Sequence, residues 1–169
     1  MSLSSDNDNE SPVQPTIKFP VLEFGQGLVN VVESLDYITN CRKRGYTNGW
    51  YKGLVLVDAE SRLFRVLGAR KLKTLPFNFT FRDFLEALGG NPRYQVELVF
   101  APNTSRISLD KVKKLISESF RKEKNFWSEM TDFEQFRDEI ARASSIDEIF
   151  GIFRGFNRET RDRRDVSGF

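Results

Sequence analysis

The chain contains no histidine and a single cysteine, Cys41, so the side chains that most often carry neutral-pH proton transfer, nucleophilic attack and soft-metal ligation are almost missing. Any chemistry would have to run on Asp, Glu, Lys, Tyr, Ser or Thr. None of these falls into a catalytic spacing. A full Gly-x-Gly-x-x-Gly is also lacking, and Gly25-Gln26-Gly27 is a fragment of one that opens a strand. Asp6-Asn7-Asp8-Asn9-Glu10 lacks the mid-loop glycine of a calcium loop. No catalytic residue, cofactor or metal is therefore expected, and an enzyme of unknown class ranks behind two binding readings.

Other absences bound the class. A lone cysteine cannot form an internal disulfide, no apolar signal region follows Met1, and no run reaches the roughly 20 apolar residues of a membrane span. The expectation is a cytoplasmic protein with no membrane partner. In that setting the sequons Asn78-Phe79-Thr80 and Asn103-Thr104-Ser105 are chance matches. Charge of one sign is lacking too: 26 Lys plus Arg oppose 24 Asp plus Glu, a net of +2, too little to require a polyanionic partner for the chain as a whole.

What is present describes one domain. Residues 1–16 carry Asp6, Asp8, Glu10, Pro12 and Pro15 and no Lys or Arg, a composition that suits a disordered leader. Residues 17–153 form the domain, and residues 154–169, rich in alternating Arg and acid, suit a flexible charged tail.

Within the domain, Leu28–Val32 is apolar enough for a buried strand, and Ser34 suits the N-cap of a helix that carries Leu35, Ile38 and Cys41 on one face and ends near Gly45. Trp50–Val57 and Arg62–Leu67, joined by Asp58-Ala59-Glu60-Ser61, read as a hairpin. Tyr94–Phe100 alternates as a strand. Thr80 suits the cap of a short helix with Phe81, Phe84, Leu85 and Leu88 on its inward stripe, and Ser108 that of a longer one. Thr131–Glu134 and Ser145–Glu148 are capping boxes for two more. The fold class is α+β: a mainly antiparallel sheet of about four strands, helices packed on one face, and a helical C-terminal part. The 16 phenylalanines are explained by a Phe-rich core.

Two faces are candidates for binding. Arg42, Lys43, Arg44, Tyr46, Trp50 and Lys52 interleave cations and aromatics in a glycine-containing segment, the pattern a nucleic-acid site uses; a basic helix terminus followed by an anchoring Trp explains them equally well. Charge is also segregated. From Arg42 to Lys73 nine Lys or Arg oppose Asp58 and Glu60, whereas from Glu129 to Phe153 seven acids oppose Arg137 and Arg142. Glu134 and Asp138 on the acidic side are the candidate partner face. Asp58 and Glu60 flank a turn, where acids cap backbone N–H groups more often than they catalyse.

The order Val31-Val32-Glu33-Ser34-Leu35-Asp36, then Gly53-Leu54-Val55-Leu56-Val57-Asp58 leading to Leu63-Phe64-Arg65-Val66, then Ser108-Leu109, and finally Ala143-Ser144-Ser145-Ile146-Asp147-Glu148-Ile149 resembles small uncharacterised bacterial α+β proteins. Some of those are similar to immunity proteins of toxin systems. The resemblance implies a non-enzymatic protein that binds a protein partner, as a toxin-immunity or regulatory protein does; an RNA- or DNA-binding module using the basic, aromatic segment is the alternative.

Overall fold

The computed structural model describes residues 15–76, 81–128 and 132–166. The leader lies outside the described residues apart from its last two positions, as do Thr80 and Thr131, the expected caps. The chain is α+β, as its periodicity predicts, but with more strands than the four expected: its sheet has seven.

Strands β1 (Val21–Gly25) and β2 (Leu28–Val32) form a hairpin whose two loop residues, Gln26 (φ 50°) and Gly27 (φ 80°), both take the left-handed backbone that two-residue turns demand. Gly25-Gln26-Gly27 thus opens β2, as expected, and also closes β1. Strand β4 (Val55–Asp58) pairs with β1 on one side and with β5 (Arg62–Thr74) on the other. The hairpin read from the sequence is present, though its first strand starts at Val55 because Trp50–Gly53 is turn. Strand β5 is far longer than its apolar start suggests, continuing through Arg70, Lys71 and Lys73 opposite β6 (Arg93–Phe100). Register shifts at Val66/Gly68 and Lys71/Lys73 bend it, as bulges do, and the sheet curls.

The expected helix from Ser34 to Gly45 is broken in two. Helix α1 (Leu35–Thr39) stops where Asn40, Cys41 and Arg42 become strand β3 against β6, and α2 (Lys43–Thr47) follows. The β-branched Thr39 spends its hydroxyl on the Leu35 carbonyl at 3.0 Å, a bond that competes with helix continuation. Cys41 consequently sits half-buried on a strand, not on a helix face. A two-residue strand β7 (Ser105–Arg106) pairs with the start of β5.

Helix α3 (Phe81–Leu88) forms before the Gly89–Gly90 break, but its stripe does not face inward: Phe84, Leu85 and Leu88 are all exposed. Helix α4 (Leu109–Lys122) is capped by Ser108, whose Oγ accepts the Lys111 N–H. Helices α5 (Lys124–Ser128), α6 (Phe133–Arg142) and α7 (Ile146–Val166) complete the chain. At the start of α7 Ser145 Oγ accepts the Glu148 N–H, while the Glu148 carboxylate reaches one residue further back than a capping box requires, to Ser144 N–H at 2.6 Å. The backbone and hydroxyl bonds from Ser144 hold Glu148 below the usual carboxylate range. Helix α7 continues through Arg154, which pairs with Glu33, and Phe156, which packs on the core.

Strand alternation sends side chains to opposite faces, and each face has its own core. Leu22, Phe24, Val29 and Val57 meet α4–α7 on the outer face, where Phe120, Trp127, Phe136, Phe150 and Phe153 form an aromatic core. Val21, Val32, Leu56, Phe64, Val66, Val96 and Leu98 line the inner face of the curl, closed by Ile38 of α1 with Tyr51 and Leu54. Asp58 joins the two levels as a structural group. Fully buried, it accepts N–H bonds from Lys18, Glu60 and Arg62 and the Arg62 guanidinium, so it ties the turn between β4 and β5.

Candidate functional site

The six residues of the basic, aromatic segment are divided between solvent and core. Arg42 leaves β3 beside Asn91, whose side-chain carbonyl accepts the Arg44 N–H at 2.9 Å, while the Pro92 carbonyl accepts that of Lys43 at 2.8 Å. These bonds fix α2 against the loop before β6. Lys43, Arg44 and Lys52 point to solvent, whereas Tyr46 and Trp50 are half-buried and pack on the inner core. Tyr46 meets Tyr94 edge-to-face at 5.7 Å. A stacking platform would leave those rings open beside the cations, and here the fold has turned them inward.

Arg42 and Trp50 instead line a cleft of about 750 Å³ between the β1–β2 hairpin and the α1–β3–α2 segment. Its floor is Glu23. Strand alternation puts Glu23 on the inner face with Val21, opposite Asn30 on β2 and Leu56 on β4, and it is only 5% exposed. Burial raises the Glu23 pKa, and the hydrogen bond from the Trp50 indole opposes that rise without cancelling it. Tyr51, equally buried, donates its hydroxyl to the Ile38 carbonyl at 2.7 Å. Burial, then the bond with Cys41, pushes the Tyr51 phenol up; burial likewise pushes up the Cys41 thiol, with the Tyr51 bond opposing. Burial thus favours the protonated thiol and phenol. Asn40 adds a side-chain oxygen that is buried without a donor.

Glu134 and Asp138 sit on the outer surface of α6, exposed, and both are bridged by Arg137. Their charge is partly neutralised on their own helix. A second groove of about 860 Å³ runs between α6 and α7, lined by Gln135, Glu139, Arg142 and Gly155 among others, and includes neither acid.

The ribbon of β5 and β6 was not anticipated as a site. Beyond Val66, whose N–H and carbonyl bond Leu54 and Gly53, no strand among the described residues pairs the far edge of β5 from Leu67 to Thr74. That edge carries Leu67 and Leu72, 59% and 57% exposed, among exposed Arg70, Lys71 and Lys73. Arg70 is paired with Glu97, and Lys71 lies 4.0 Å over the Tyr94 ring.

Among the described residues no cluster of His, Cys, Asp and Glu could hold a metal ion, and no helix is long and apolar enough to cross a membrane. Glu23, Asn40 and Arg93, the polar groups that shape the cleft with Arg42, were missed in the sequence. The one available signal was the two-residue Gln26-Gly27 turn, which fixes β1 and so puts Glu23 on the same face as Val21. Comparison with protein-family models, with curated proteins and with solved structures finds no match to this chain.

Proposed function

We propose that the chain is a non-enzymatic binding protein whose partner is another protein, engaged as an extended acidic segment along the open edge of β5. The observation that carries this reading is the far edge of Leu67–Thr74, opposite β6, which no strand among the described residues pairs. The N–H and carbonyl groups turned to that edge are a template for one more strand. Exposed Leu67 and Leu72 supply apolar contact, and Arg70, Lys71 and Lys73 select the sign of the incoming charge. The same cations disfavour pairing with a second copy of this edge, since like charges would face each other.

A toxin-immunity or regulatory role is the form this reading takes from the resemblance described above. The acidic pair Glu134 and Asp138 supports it less well, because Arg137 already engages both. An RNA- or DNA-binding role for Arg42, Lys43, Arg44, Tyr46, Trp50 and Lys52 is weakened by the inward packing of Tyr46 and Trp50.

The test is hydrogen exchange on the full chain with a short peptide that alternates Val and Glu, and with its Val/Lys counterpart. The acidic peptide should slow exchange at residues 67–74, and Lys71→Glu with Lys73→Glu should abolish that protection. Equal protection by the basic peptide, or protection confined to another surface, would sink the reading.

A further inference from the structure

The cleft over Glu23 has two chemically unlike ends. At its floor stand acceptors: the Glu23 carboxyl, and an Asn40 side-chain oxygen buried with no donor. A buried acceptor left unmet is costly, and a ligand bearing N–H groups would meet both. At its mouth Arg42 and Arg93 stand directly opposite each other in the β3–β6 register, and both line the cleft. Arg42 also donates to the Asn91 carbonyl at 3.5 Å, and the two guanidinium groups lining one cleft offer charge-assisted donors to an anion. Tyr37 lines the same cleft with 73% of its surface open to solvent, a ring face available for stacking. The void of about 750 Å³ is in the range of small-molecule sites and larger than a free amino acid would fill. Asp36 is part of the same wall, which disfavours a polyanionic strand and leaves room for a single phosphate.

We propose that this cleft binds a purine mononucleotide, with the base N–H groups on Glu23 and Asn40, Tyr37 against the base, and the phosphate between Arg42 and Arg93. Glu23 selects the base edge, because its two carboxyl oxygens accept from paired N–H donors. The arginines recognise the phosphate by planar, bidentate contacts. This inference is independent of the β5 edge, and neither site needs the other.

Calorimetric titration of the full chain with AMP, GMP, inorganic phosphate and a short single-stranded oligonucleotide tests it. One mononucleotide should bind about tenfold or more tighter than inorganic phosphate, and Arg93→Gln should weaken it about tenfold to a hundredfold, the worth of one charged hydrogen bond. Asn40→Leu should weaken the nucleotide but not phosphate, and Glu23→Gln should change the ratio of AMP to GMP affinity. Arg93 is on the rim, so its variant keeps the test decisive if the floor variants fail to fold. Absence of binding by both mononucleotides, affinity equal to that for phosphate, unchanged binding in Arg93→Gln, or binding of the oligonucleotide alone would overturn the proposal.

Discussion

The two faces of the sheet solve the burial problem differently. The outer core is aromatic and nearly free of polar atoms: Phe136 packs on Phe120, Trp127, Phe153 and Phe156, and the indole N–H of Trp127 is left without a partner. The inner core tolerates a carboxyl group, a phenol, a thiol and an unmet amide oxygen within one cleft. Buried polar groups cost stability unless they are satisfied. The fold thus gathers Glu23, Tyr51, Cys41 and Asn40 on its inner face, against an outer face built mainly of aromatic rings.

The sharpest way to break that contrast is to open the aromatic side. Phe136→Ala should cost about 3–5 kcal/mol, measured by denaturant unfolding, because four aromatic rings lose their common neighbour. A loss under about 1 kcal/mol would mean that this core collapses onto the gap and is not a close-packed unit.

The inner face should respond with the opposite sign. Glu23 has its pKa raised in the folded state, so the native protein holds that proton more tightly than the unfolded chain. Below the ordinary carboxylate range both states are protonated and nothing is lost. As pH rises through that range to the raised value of Glu23, the native state comes to bury a charge and stability falls. Glu23→Gln removes the titration while keeping an acceptor for Trp50. The variant should gain stability over the parent near pH 7 and differ little near pH 3, read from thermal unfolding at each pH. A variant destabilised equally at both would show that the carboxyl group is a packing element only.

The smallest effect belongs to the clasp between Arg154 and Glu33, at 2.7 Å and 2.8 Å. Both groups are largely exposed, so solvent screens them, and Glu33→Gln should cost about 0.5 kcal/mol or less. A shift in Tm above about 4 °C would make this pair a structural bolt instead of a surface contact.

How far the sequence discloses this arrangement depends on whether the deciding force is local. The β4–β5 hairpin was legible because Val55–Val57 and Leu63–Val66 carry β-rich side chains around a polar connection, and the Ser108 and Ser145 caps were legible because a hydroxyl and a free N–H are neighbours in sequence. The extension of β5 through Arg70, Lys71 and Lys73 was not, since those residues gain strand structure from pairing with β6 and not from their own propensity. The helix after Ser34 was overextended for the same reason: Ile38 and Cys41 have helical spacing, but Asn40–Arg42 bonds a strand more than 50 residues away. Glu23 was hidden most deeply. A charged residue in a strand ordinarily marks the solvent face, and only the folding of α1 and β3 across the curl reverses that expectation.

The outer core also dictates an order of events. It draws Leu22, Phe24 and Val29 from the first third of the chain and Phe136, Ile149, Phe150 and Phe153 from the last, so its sheet face is not fully covered until the residues of α6 and α7 have been synthesised. On a ribosome, at about 5–20 residues per second, the hairpin of β1 and β2 therefore waits several seconds with an apolar side exposed. That interval, set by where the two halves of the core lie in the chain, is when the nascent protein is most open to chaperones and to aggregation.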